Sequence, residues 1–288
     1  MYGKGLRPLS IATFFVLTGA MALAFFYAPM DADQGFMQKI FCIHVPMAIV
    51  ALGGFIAGGV FGILHLRSGD ARHDMKSYVA IHLALILGVG TLVTGSIWAR
   101  ASWGHWWVWD EPTLVSFLII FLLYACYQPL RFSIEDPERQ ARYASVFAIT
   151  AGAFVPLNFL AVRLAQSFAH PRVLGSTDSL PARMRLTFIV AMAGMVLLYL
   201  TLWRYEMASK NARAQVRKLR RRLGDEVVLG RSAARSASPG APRLRASPPH
   251  EQHAARQHRL RRRRVPRVPG ARAHLYGDHG GEAGAPAP

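Results

Sequence analysis

The chain has 288 residues and a formal net charge of +18, yet 52% of its residues are hydrophobic and its mean hydropathy is +0.21. A soluble nucleic-acid binder of that charge is rarely so apolar, and an apolar globular core is rarely so basic, so neither class fits the chain as a whole. The two properties separate along the sequence: residues 207–288 hold 19 of the 34 Lys and Arg and 5 of the 16 Asp and Glu, a net +14, which leaves +4 for residues 1–206. This division implies a membrane domain over 1–206 and a basic, low-complexity tail over 207–288.

A membrane-crossing helix needs roughly 20 apolar residues. Six stretches meet that length, approximately 9–29, 37–66, 77–98, 113–130, 143–164 and 186–204, and predict an all-α polytopic membrane protein with six transmembrane helices. The first follows Lys4 and Arg7; its apolar core exceeds that of a signal peptide and no clean small-residue cleavage site follows, so it reads as a retained span. The second is longer than a bilayer requires and is expected to tilt or project. Its Gly54, Gly58 and Gly62 share one helical face, which suits close approach of a neighbour within the bundle rather than of a second copy. Near its start, Pro46 removes a backbone donor and is expected to kink the helix. Spans four and six contain no Asp, Glu, Lys or His in their interiors, which speaks against a polar path for a transported solute.

Cys42 and Cys126 both lie in apolar runs, and no Cys-x-x-Cys or Cys-x-x-Cys-His occurs. This excludes a disulfide-stapled secreted fold, a thioredoxin-type pair and covalently held c-type haem. In the tail, residues 207–229 predict a basic amphipathic helix on an anionic inner leaflet. Beyond Gly230 too few apolar residues remain to form a core, so that stretch is expected to be disordered. Arg261–Arg264 reads as a solvated run, with no nucleic-acid partner.

Lys and Arg placement in short loops puts both termini in the cytoplasm. The outer segments then carry Lys39, Arg100, Arg163, Arg172, Arg183 and Arg185, and the last four break the rule. Between spans three and four, on the outer side, lies a loop over about 99–112. Five of the six tryptophans fall at Trp98, Trp103, Trp106, Trp107 and Trp109. An interfacial belt spreads tryptophan over all helix ends, whereas the other spans hold only Trp203. The cluster therefore predicts an aromatic platform for a flat ligand, since ring stacking adds about 1 kcal/mol per ring beyond area burial.

The segment Trp103-Gly104-x-Trp106-Trp107-x-Trp109-Asp110 resembles the tryptophan-rich WWD signature of the haem-handling membrane proteins of cytochrome c biogenesis. Within that group, length and span count are most similar to the six-span CcmC type. The resemblance covers residues 1 to about 206. It implies haem b bound at the outer face of the bacterial cytoplasmic membrane, presentation to the haem chaperone CcmE, and work beside an ABC-type complex of CcmA, CcmB and CcmD in contact with membrane lipid. It implies further that His44, in Phe41-Cys-Ile-His44-Val-Pro46, and His170, in Phe168-Ala-His170-Pro171, are axial ligands of the iron. The orientation read from charge alone puts both histidines on the side of the Trp loop; His65 and His82 fall at the inner side. Trp103, Gly104, Trp106, Trp107, Trp109 and Asp110 would form the platform, with His105 at a variable position of the signature. Asp110 would also cap the fourth span, Pro112 being in its first turn. Arg172, ahead of Arg100, Arg183 and Arg185, would pair with the haem propionates.

The sequence departs from the signature after Asp110. Glu111-Pro112-Thr113-Leu114 stands where the family carries a basic residue and Thr-Ser, and the Arg-rich tail is not a family feature. No nucleophile–base pair is evident, so the expected role is haem transfer rather than enzymatic catalysis. Two other readings fit parts of the pattern: a CcsA-type haem–cytochrome c synthetase component, which shares the WWD signature but usually has more spans and histidines, and a haem or solute permease.

Overall fold

A computed structural model of the chain describes residues 5–164 and 180–237, except for the side chains of residues 158, 161–163 and 225–237. The chain divides into two units, one ending at Arg222 and the other beginning at Leu223. The described residues form α1 (Leu6–Ala22), α2 (Phe41–Ser68), α3 (Ala71–Trp103), α4 (Pro112–Ala125), α5 (Tyr127–Phe132), α6 (Pro137–Leu164) and α7 (Ala182–Ala237), with no strand among them. The protein is an all-α polytopic membrane protein. Among the described residues, Leu6–Tyr27, Phe36–Ser68, Ala71–Trp103, Pro112–Phe132 and Ala182–Gly224 are long and apolar enough to cross a membrane. The remaining expected span, 143–164, lies within the 28 residues of α6, about 42 Å of helix. Large side chains such as Phe14, Phe15, Ile86, Val93, Ile119 and Ile189 stay exposed on the bundle's outside, where lipid satisfies them at no cost.

α1 continues through a π-helical turn, Leu23–Tyr27, and the buried Lys39 ammonium donates to the Ala28 carbonyl just beyond it at 2.5 Å. A cation at a helix C-terminus is favoured by the helix dipole. A short 3-10 stretch, Phe36–Ile40, leads into α2, which runs on through Pro46.

α2 ends at Gly69, whose φ of 67° is the left-handed conformation that a side chain resists. Asp70 then caps α3: its carboxylate accepts the Arg72 backbone N–H at 2.8 Å and pairs with the Arg72 guanidinium. The connection is only two residues long, so α2 and α3 pack antiparallel along their length.

The glycine face of α2 is spent inside the bundle. A Cβ at Gly58 would meet Ile81 of α3 at 2.5 Å, one at Gly54 would meet Ala84 and Tyr199, and one at Gly62 would meet the Ser145 carbonyl of α6 at 3.0 Å. Hydroxyls then reach neighbouring backbones across these close approaches. Ser77 donates to the Gly58 carbonyl at 2.7 Å, Tyr124 to Phe55 at 3.0 Å, and Tyr199 to Ala80 at 3.0 Å. Thr13 of α1 and Thr201 of α7 share a hydrogen bond of 2.7 Å. Such contacts hold helices together where lipid removes the hydrophobic drive for association.

Three boundaries differ from expectation. α3 begins and ends several residues beyond 77–98, so Trp98 through Trp103 is helical and the Trp-rich loop contracts to Gly104–Glu111. The expected bounds followed the apolar run alone, and the helix extends past its apolar length through Arg100 and Ser102. The fourth span breaks at Cys126 into α4 and α5, because Pro129 has no N–H for the Ala125 carbonyl. Residues 207–229 are helical as expected, but as a continuation of α7. Disorder was expected beyond Gly230, but residues 231–237 continue α7, and residues 238–288 lie outside the described residues.

Candidate functional site

The first turn of α2 and the last turns of α3 meet at one end of the bundle. His44 is the fourth residue of α2 and faces α3, where Gly95 leaves room for its ring. Its Nδ1 lies 3.0 Å from the Thr94 hydroxyl. About one turn and somewhat more than two turns further along α3 come Trp98 and Trp103, with ring centroids 4.8 Å apart and planes at 75°, an edge-to-face pair. The Trp98 indole N–H donates to Gln34 Oε1 at 3.1 Å, which fixes the ring against the segment before α2.

Gly104, at φ 77°, ends α3, and the Arg100 guanidinium folds back onto the Gly104 carbonyl. The chain then turns across the top of the bundle before Pro112 starts α4. This route borders a largely apolar cleft of about 190 Å³, lined by His44, Trp98, Trp103, Trp107, Phe117 and Phe159 with aliphatic residues and two threonines between them. Trp107 stands edge-to-face with Trp109, their centroids 6.0 Å apart. The Trp107 Nε1 is buried with no hydrogen-bond partner among the described residues, an N–H of the kind that a ligand's polar group would satisfy. Trp106 and Trp109 are 60% and 73% exposed, so the aromatic surface continues out of the cleft.

Of the residues singled out in the sequence, His44, Trp103 and Trp107 thus share one cleft, with Gly104 turning the chain above it. Trp106 and Trp109 form its exposed margin. Asp110 is exposed and does not cap α4. The residue immediately before a proline is held extended, so the cap position falls to Glu111, which is 1% exposed. His170 and Arg172 lie outside the described residues, as does the Arg163 side chain. Arg183 stacks over the Tyr27 ring at 5.4 Å, and Arg185 is exposed. His65 Nδ1 donates to the Asp70 carbonyl at 3.0 Å in the α2–α3 turn, at the far end of the bundle from the cleft. His82 stacks on Tyr78, about 30 Å of helix before Trp103.

Thr94, Gly95, Gln34 and Phe117 were not anticipated as site residues. Each sits in an apolar or short connecting segment where its spacing resembles ordinary packing; only the pairing of α2 with α3 reveals them. Together these groups offer an imidazole at the wall of a narrow aromatic slot, an arrangement for a flat, largely apolar ligand that carries a metal.

A family model described as CcmC, heme exporter protein C, matches residues 1–222. The chain belongs to this family. Curated relatives bearing that same name agree: the protein of Paracoccus denitrificans is 31% identical over 180 residues, 62% of this chain and 74% of the relative. That of Bradyrhizobium diazoefficiens is 33% identical over 199 residues, 67% and 73% of the two chains. The Rhodobacter capsulatus protein is 28% identical over 206 residues, 69% and 84%. For this family member the match stops at Arg222, where the first compact unit also ends, and so leaves out most of the Arg-rich tail.

Proposed function

We propose that this chain holds haem at the outer face of the bacterial cytoplasmic membrane and presents it to a CcmE-type chaperone for cytochrome c maturation. The observation that carries this reading is the convergence of His44 with Trp98, Trp103 and Trp107 on one apolar cleft. The residues present fit the group. An imidazole nitrogen suits the iron, indole faces suit the porphyrin, and the orphaned Trp107 N–H suits a polar edge of the ring. Neither cysteine lines the cleft, which favours haem b, held without covalent bonds.

In this reading His44 and His170 ligate the iron, Arg172 pairs with a propionate, and Trp106 and Trp109 form the open edge through which the cargo leaves. The haem supplies the iron and the reactivity used later; the protein binds, orients and releases it, without enzymatic chemistry of its own. Residues 1–206 form the haem-handling domain, and residues 207–288 a cytoplasmic tail. CcmA, CcmB and CcmD are the expected neighbours, in contact with lipid, and no nucleic acid is involved. The test is a haem titration of the full-length protein in detergent. Saturable quenching of tryptophan fluorescence at one haem per chain, reversed by haem-free chaperone, is expected. Absence of saturable quenching would refute the proposal.

A further inference from the structure

The Thr94 hydroxyl bridges two partners. It lies 2.8 Å from the Gly90 carbonyl one turn earlier in α3, with the Thr91 carbonyl second at 3.3 Å, and 3.0 Å from His44 Nδ1. A hydroxyl has one proton. A carbonyl oxygen cannot donate, so the Gly90 bond exists only if Thr94 gives its proton there, the usual back-bonding of threonine within a helix. The oxygen can then only accept from the histidine. In the neutral ring that places the proton on Nδ1 and leaves the lone pair on Nε2.

From this chain of bonds we infer that Thr94 is a positioning residue: it holds neutral His44 in the Nδ1–H tautomer and so presents Nε2 as the donor to a metal. The inference rests on the haem-binding reading for the metal's identity, but not for the tautomer itself. Three features support it. Thr94 does not line the cleft whereas His44 does, so the Nδ1 edge of the ring is anchored in the helix framework. Gly95, the next residue, is the one whose missing side chain admits the ring, so recognition and room come from adjacent positions of α3. Metal-bound histidines generally donate their second N–H to an oxygen, which sets the tautomer and ring orientation.

The experiment has two arms on the full-length protein. In the first, the haem-free protein with 15N-labelled histidine is studied by NMR, His44 being assigned by difference from His44→Gln. The wild type should show Nδ1 protonated and Nε2 unprotonated. Thr94→Val keeps the side-chain shape but removes the oxygen, and should shift His44 toward the Nε2–H tautomer; Thr94→Ser should restore the wild-type pattern. In the second arm, haem affinity should fall about 10–100-fold in Thr94→Val and recover in Thr94→Ser. An Nε2–H tautomer in the wild type, or a Thr94→Val variant unchanged in both tautomer and affinity, would overturn the assignment. If the wild type binds no haem, the reading of the ligand fails while the first arm still decides the role of Thr94.

Discussion

Gly95 of α3 lies so close to the His44 ring of α2 that a methyl group added there would stand 2.8 Å from Cε1. Two helices distant in sequence therefore share one requirement: the imidazole keeps its place only while position 95 has no side chain. Gly95→Ala should push the ring aside at an overpacking cost of about 1–3 kcal/mol. Haem affinity should fall roughly tenfold or more, each tenfold corresponding to about 1.4 kcal/mol, with helix content by circular dichroism unchanged. Normal affinity in Gly95→Ala would separate this contact from the binding site.

At the other end of the bundle, Arg131 of α5 grips both carboxylate oxygens of Asp74 at 2.6 and 2.7 Å, with the two side chains only 10% and 13% exposed. Arg131→Met leaves the carboxylate without its partner and should cost about 3–5 kcal/mol. Arg131→Met combined with Asp74→Leu should recover much of that loss, because the unpaired charge is gone. Thermal unfolding in detergent measures both, and haem affinity should be little changed in any variant that folds.

The glycines of α2 are not equivalent. A Cβ at Gly59 would lie 3.1 Å from the Ala148 carbonyl oxygen of α6, a backbone atom that cannot rotate away, while Gly53 has nothing within 4 Å. Gly59→Ala should destabilise the bundle by about 1–3 kcal/mol. Gly53→Ala should be neutral or slightly stabilising, because alanine favours a helix by up to about 1 kcal/mol over glycine. Equal melting shifts for the two would contradict this packing of α2 on α6.

Asp70, in the turn between α2 and α3, is held down to about 2, first by its side-chain hydrogen bond with Arg72 and then by the Arg72 backbone N–H. A carboxyl depressed in the folded state stabilises it above its unfolded value, near 3.9, and loses that contribution as pH falls through about 2. The melting difference between wild type and Asp70→Ala should therefore be constant above about pH 5 and shrink between about pH 4 and 2. A difference independent of pH over that window would show that the carboxylate charge plays no part.

The spans were legible because length and hydropathy alone determine which segments can cross a bilayer, and the aromatic platform because five tryptophans crowd one short segment. His44 was singled out by the resemblance to the haem-handling family, and the charge-derived orientation put it on the side of the Trp loop. Thr94 and Gly95 did not, since Thr and Gly within an apolar span are common helix-packing residues, and their meaning lies in what α2 brings against them. The end of α3 was misplaced for a related reason. The apolar run stops near Trp98, yet the helix is ended by Gly104, which alone there readily adopts a positive φ. The cap of α4 followed the backbone constraint of Pro112 rather than the preference for Asp, so it moved from Asp110 to the buried Glu111.

Ligation of haem by His44 within the tryptophan cleft is tested most directly by the absorption spectrum of the protein purified with its haem. The wild type should show six-coordinate, low-spin iron with two imidazole ligands, and His44→Ala and His170→Ala should each lose that signature. A double variant with normal haem content and an unaltered spectrum would contradict the account.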